Sequence, residues 1–280
     1  MFIAPAALLV LLVVLVPLLW NVWMSFHRVT IIYSGEPFVG FRNYAGQLTN
    51  PEFWAAVWVA FLYTIVTTAV ELGLGLGLAI LMNQRLRLRW LLRSIVILPW
   101  ALPTIVNAMM WRWIDNADYG PLNALLTQTG ILHRYFPWLA DAHTALWMVM
   151  LADIWKMTPL MAILLLAALQ AIDPSVREAA AMDGAGGWTI FRRIVLPMIT
   201  PILLIALVLR TIEAFKVFDI VWIMTGGGPA NSTQTVAVYA YNTAFQDFDF
   251  GNGAAISILI ALFMMLMSIT YLRTLGRKGA

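Results

Sequence analysis

Cysteine is absent from this 280-residue chain, and charge is scarce: only 11% of residues are Asp, Glu, Lys or Arg. Without cysteine there is no disulfide framework, thiolate metal site or thiol nucleophile. The three histidines, His27, His133 and His143, stand apart and form no HExxH pattern, which argues against a metal centre. Lysine occurs only at 156, 216 and 278, and none follows the glycine spacing of a phosphate-binding loop. A charge content this low excludes a disordered chain, a nucleic-acid-binding domain and an ordinary cytosolic enzyme, because soluble domains carry about 25% charged residues. What fills the sequence instead is apolar. The hydrophobic share is 62% and the mean hydropathy is +0.83.

Apolar runs long enough for a helical membrane span, about 20 residues, occur six times. The expected spans are roughly 2–26, 54–82, 94–113, 145–171, 198–224 and 253–272. These runs are too long and too poorly alternating for a β-barrel. The expectation is therefore an all-α integral membrane protein, a single transmembrane domain over 1–280. An even number of spans puts both termini on one side. Arginine and lysine set that side. Ten lie in one set of connections: Arg85, Arg87, Arg89, Arg93, Arg177, Arg192, Arg193, Arg273, Arg277 and Lys278. The opposite set holds Arg28, Arg42, Arg112 and Arg134. The richer set is expected to be cytoplasmic, with both termini. The small net charge of +3 reads as this loop bias. The first run lacks a basic n-region and continues past Pro17 to Phe26, so a retained helix is expected over a cleaved signal peptide.

The opposite connections carry turn chemistry at Gly35-Glu36-Pro37, Tyr119-Gly120-Pro121 and Gly226-Gly227-Gly228-Pro229. The stretch Thr233–Phe245 is weakly amphipathic and reads as a short helix on the membrane surface. Trp111, Trp113, Trp138 and Trp147 suit interface anchoring.

The connection 173–195 is the most informative. Asp173-Pro174 is a helix start, a side-chain cap followed by proline at the first helical position. Gly184, Gly186 and Gly187 end that helix, and a second short helix fits Trp188–Val195 before Pro197 opens the fifth span. Small residues on the first helix (Ala179, Ala180, Ala181) permit close approach, and Phe191 and Ile194 on the second offer apolar anchors. A helical elbow seated in a partner's groove has this pattern, as does an ordinary loop helix packed on its own protein.

Seven ionisable residues fall inside spans: Glu71, Asp153, Lys156, Arg210, Glu213, Lys216 and Asp219. Each is costly there and normally faces a bundle interior or a wet cavity. Asp153 and Lys156 are spaced to pair on one helix. Arg210, Glu213, Lys216 and Asp219 alternate in sign, but on a continuous helix three-residue steps would rotate Asp219 to the side opposite Arg210. Only part of that row is then expected at one cavity. These residues read either as a polar pathway or as self-neutralising pairs that lock the bundle. Glu71 lies in a glycine-rich run, Glu71-Leu-Gly-Leu-Gly-Leu-Gly77, which suits close helix packing. Asn107, Trp111 and Thr211 would add hydrogen bonds and a flat apolar face to such a pathway.

The run Glu178-Ala-Ala-x-x-Asp183-Gly184-Ala185, followed by Phe191, Ile194, Leu196-Pro197 and Pro201, resembles the EAA motif of permease subunits in binding-protein-dependent ABC importers. Trp155-Lys-Met-Thr-Pro159, Ile97-Leu-Pro99 and Thr225-Gly-Gly-Gly-Pro229 are similar to the maltose-type sugar branch. The basic cytoplasmic tail common there, and the long external insertion of the maltose permease, have no counterpart. The resemblance implies the type I importer permease fold and a transport subunit rather than an enzyme. It implies ATPase contacts at Glu178, Ala179, Ala180, Asp183, Gly184, Ala185, Phe191, Ile194 and Pro197. It implies as partners a second permease, two ATP-binding subunits that hold ATP and Mg²⁺, an extracytoplasmic solute-binding protein and a di- or oligosaccharide such as trehalose or maltose, in a bacterial cytoplasmic (inner) membrane. No cofactor and no nucleic acid is expected on this chain. An ion-coupled secondary transporter, or a permease for glycerol 3-phosphate, remains the alternative.

Overall fold

The computed structural model describes residues 4–31, 35–84 and 87–275, with the side chains of 4–7, 272, 274 and 275 left aside. Expectations that rest on residues 1–3, Arg85, Arg277 or Lys278 fall outside these residues. Among the described residues the fold is helical, with isolated β-bridges only at His27–Phe38 and Thr30–Asp249.

Helix α1 (Ala4–Ser25) leads into a loop and the short α2 (Arg42–Thr49). Helix α3 (Pro51–Met82) starts at a well-made cap, where the Asn50 side chain accepts from the Glu52 amide and Pro51 opens the first turn. Its 32 residues extend about 48 Å. The third expected span is not one rod. It comprises α4 (Arg89–Ala101) and α5 (Thr104–Ile114), bent 91° to each other. The cause is local: Leu102 precedes Pro103, is forced out of the helical region and takes φ −72°, ψ 135°.

Helices α6 (Pro121–Gln128), α7 (Ala145–Gln170), α8 (Pro174–Met182) and α9 (Gly187–Ile190) follow. A π-helical turn at Phe191–Val195 joins α9 to α10 (Leu196–Phe215), so one helical path runs from Gly187 to Phe215. The fifth expected span therefore starts earlier than sequence periodicity indicated. It also ends earlier, because helical geometry lapses at Lys216–Phe218 before α11 (Asp219–Met224). Helix α12 (Val236–Tyr241), a π-helical turn at Asn242–Gln246 and α13 (Phe250–Leu275) complete the described residues. Among the described residues, five helices are long and apolar enough to span a bilayer, and the bent α4–α5 pair makes a sixth if it counts as one.

Helices α3 and α7 pack side by side, with α10 against both and α13 against α1, α2 and α12. At the elbow end, Ala79, Met82, Leu165, Leu169, Val195 and Ile199 form one apolar cluster. At the far end, Phe53, Ala60, Phe215, Val236 and Ile256 form another. This second cluster overturns the expected surface helix over 233–245. Val236, Val238 and Tyr239 are buried, and the Tyr239 hydroxyl donates to Gln47 Oε1 at 3.0 Å and accepts from Asn50 Nδ2 at 3.0 Å. Helix α12 is an internal brace against α3 and α13.

Candidate functional site

A cavity of about 510 Å³ opens where the two helix breaks face each other. Trp100 and Thr104 flank the α4–α5 bend. Helix α7 contributes Asp153, Lys156, Met157 and Leu160. From the other side come Arg210 and Glu213 of α10, then Lys216, Val217 and Phe218 of its unwound end, then Asp219 and Ile220 of α11. Non-helical backbone at membrane depth is tolerated where it lines a cavity, because freed carbonyls and amides find water or ligand there.

The sequence expectation that Arg210 and Asp219 lie on opposite sides is corrected by the break. Helical rotation stops at Lys216, and all four members of the alternating row reach the same cavity. The expected pairing along the row does not form. Arg210 turns instead to other helices: its Nε donates to Glu71 Oε2 at 2.5 Å, and its Nη2 donates to Glu71 Oε1 at 2.8 Å and to Asp153 Oδ2. Asp153 thus takes Arg210 rather than Lys156 as its ion partner. Successive three-residue steps leave neighbouring groups of the row about 60° apart around the helix, whereas α3 and α7 present carboxylates directly to the buried face of α10. Lys156, Glu213, Lys216 and Asp219 make no ion pair among the described residues, and the last three are exposed.

Asn107, Trp111 and Thr211 are not brought to this cavity. Asn107 is fully buried and donates to the Ala152 carbonyl at 3.3 Å. Trp111 packs edge-on against Trp155, with its indole N–H buried and unpartnered. Thr211 faces α13, 3.4 Å from the Tyr271 hydroxyl. Sequence reasoning missed Trp100, Thr104, Met157, Leu160 and Phe218. Prolines 99 and 103 inside one apolar run were the signal for the first two. Nothing in sequence marked the second break.

The elbow is built as its residues dictate. The Asp173 carboxylate accepts from the Ser175 amide at 2.9 Å and caps α8; that amide holds the carboxyl below its ordinary pKa. Gly184 sits at φ +81° and turns the chain toward α9. Glu178, Ala179, Asp183, Gly184 and Pro197 are exposed, and Ala185 and Ile194 half-buried. Ala180 and Phe191 differ from the outward-facing expectation. Ala180 is buried, and Phe191 packs inward on the elbow-end cluster with Trp188 stacked on it, ring centroids 5.7 Å apart. The large apolar side chains that do project are Met182, 88% exposed, and Trp188, 71% exposed. Both escaped the sequence reading, which took Phe191 and Ile194 as the anchors and passed over Met182 at the end of the first helix and Trp188 at the start of the second.

Residues 71–275 match the family of binding-protein-dependent transport system inner membrane components. The chain is 40% identical over 273 residues to the trehalose/maltose transport system permease protein MalF of Thermococcus litoralis, covering 98% of this chain and 92% of that one. It is 36% identical to the sulfoquinovosyl glycerol transport system permease protein SmoG of Agrobacterium fabrum (99% and 90% covered). It is 32% identical to the trehalose transport system permease protein SugA of Mycobacterium tuberculosis (99% and 88%). Its fold superimposes on a chain of a bacterial ABC transporter involved in the import of the acidic polysaccharide alginate, with a TM-score of 0.87 at 21% identity, covering 99% and 94%. On this agreement of sequence and fold, the chain belongs to the permease family of binding-protein-dependent ABC sugar importers.

Proposed function

We propose that the chain is one of two permease subunits of an ATP-driven importer for a neutral di- or oligosaccharide, such as trehalose or maltose, in the cytoplasmic (inner) membrane. The observation that carries this reading is the meeting of two interrupted helices at one charged cavity within the spans. Its lining balances three cations, Lys156, Arg210 and Lys216, against three carboxylates, Asp153, Glu213 and Asp219. That balance favours a neutral polyhydroxylated solute over a dianion such as glycerol 3-phosphate. Trp100 and Phe218 supply flat apolar faces for a sugar ring, and the charged groups supply hydrogen bonds to its hydroxyls.

Counting the α4–α5 pair as the third of six crossings puts both termini and the elbow in the cytoplasm, in line with the arginine bias. Glu178, Ala179, Asp183 and Gly184, with Met182 and Trp188, then form the seat for an ATPase subunit. ATP and Mg²⁺ belong to two such subunits. The far face receives sugar from an extracytoplasmic binding protein. Coupling follows from the helical path Gly187–Phe215: the second limb of the elbow is the start of the helix that carries Arg210 and Glu213. A rigid-body shift of the elbow on ATPase closure therefore moves the cavity wall directly.

The test is uptake of labelled trehalose and maltose into proteoliposomes holding the complete importer, with the binding protein present. ATP-dependent uptake that stops without the ATPase subunits is expected. Uptake that persists without them under an ion gradient would favour the ion-coupled alternative and end this reading.

A further inference from the structure

Glu71 lies behind the cavity wall, not in it, and is fully buried on α3. Its two oxygens engage the Nε and Nη2 of Arg210, and the same Nη2 reaches Asp153 on α7. Three helices thus meet in a charged knot of which only Arg210 and Asp153 line the cavity. A carboxylate gripping a guanidinium at two points fixes its plane as well as its place. Asp153 is already a counter-ion for Arg210, so a second buried carboxylate is more than neutrality of the pair requires. Its consequence falls on the cavity. With Lys156, Glu213, Lys216 and Asp219 unpaired, the balance there depends on how fully Arg210 is neutralised and held back.

We propose that Glu71 is a positioning residue for the transport cavity, locking the Arg210 guanidinium into the wall and thereby setting the charge the cavity presents to its solute. This rests on the reading of the cavity as the solute's path. It replaces the expectation of a packing role for Glu71.

The absence of cysteine provides a direct test. In the full importer, Met157→Cys places a single thiol in the cavity lining. The rates of its modification by an anionic and a cationic methanethiosulfonate report the local potential. Glu71→Gln should raise the anionic-to-cationic ratio at least about threefold, the effect of removing one buried charge within Coulomb range. Glu71→Asp, charged but one methylene shorter, should give a smaller shift of the same sign. Glu71→Gln combined with Arg210→Gln should return the ratio toward its starting value. With trehalose as the probe, Glu71→Gln should raise KM more than it lowers Vmax. An unchanged ratio, with losses only in assembled protein, overturns the proposal and leaves Glu71 a packing residue. So does failure of both single Glu71 variants to assemble. The labelling ratio requires no transport, so absence of trehalose uptake in the unmutated importer would count against the functional reading and leave the role of Glu71 to be decided by the ratio.

Discussion

Asp115 has both carboxylate oxygens buried without a hydrogen-bond partner, at the C-terminal end of α5, where helix carbonyls also disfavour negative charge. Burial pushes its pKa up to about 7, against about 3.9 for an unperturbed Asp. The folded state therefore binds this proton more tightly than the unfolded state. The resulting stability is complete below about pH 3.9 and is lost as pH rises through about 7. Asp115→Asn should gain in apparent Tm over the unmutated permease between pH 5 and pH 8, reaching a few degrees at pH 8. A difference that stays constant across that range would show the carboxyl to be ionised throughout. The glycines of α3 give a second contrast at this scale. A Cβ on Gly75 would lie 2.8 Å from Met161 Cγ and 3.1 Å from the Ala162 amide nitrogen, whereas Gly73 and Gly77 have nothing within 4 Å. Gly75→Ala should cost about 1–3 kcal/mol through overpacking of α3 on α7. Gly73→Ala and Gly77→Ala should be neutral or stabilising by about 0.5–1 kcal/mol. Thermal denaturation of the purified variants compares them.

Among the elements, the elbow has the clearest consequence. Gly184 is exposed at φ +81° with open space around it, so a side chain there meets backbone strain rather than a clash. For a β-branched residue that strain is about 1–2 kcal/mol, confined to the α8–α9 bend. Gly184→Val should leave the membrane helices folded and the permease yield unchanged while reducing co-purification of the ATPase subunits. Full ATPase retention with normal uptake would remove Gly184 from the coupling surface. The two broken helices differ in how legible they were. The α4–α5 bend was written in Leu102-Pro103, since the residue before a proline leaves the helix. The unwinding at Lys216–Phe218 has no proline or glycine to announce it. It lies among charged residues whose surroundings come from α4, α5 and α7.

For the whole molecule, orientation is the property to measure. A lone cysteine at Asp247→Cys, on the far end, should react with a membrane-impermeant maleimide in intact cells. Ser175→Cys, on the elbow, should react only after permeabilisation. The reverse pattern would invert the topology and detach the elbow from any cytoplasmic ATPase. Helix α1 packs against α13, yet its stretch from Leu8 to Leu19 is almost wholly exposed. An apolar surrounding, whether lipid or another helix, is the surface chemistry such a helix requires.

The sequence alone determined the helical class, the approximate positions of the apolar runs and the two-limbed elbow. These follow from local causes: run length, capping residues, and glycine or proline at the breaks. Tertiary structure decided the rest. Arg210 has charged neighbours at three-residue spacing on its own segment, yet it pairs with Glu71, 139 residues away in sequence, and with Asp153, 57 away. Gly75 differs from Gly73 and Gly77 only in what α7 places against it. Phe191 turns inward because Val195, Ile199 and Leu165 offer it a core. A buried charge takes the partner that packing brings to it, since inside the bundle desolvation must be offset at close range, and sequence spacing does not record which helices meet.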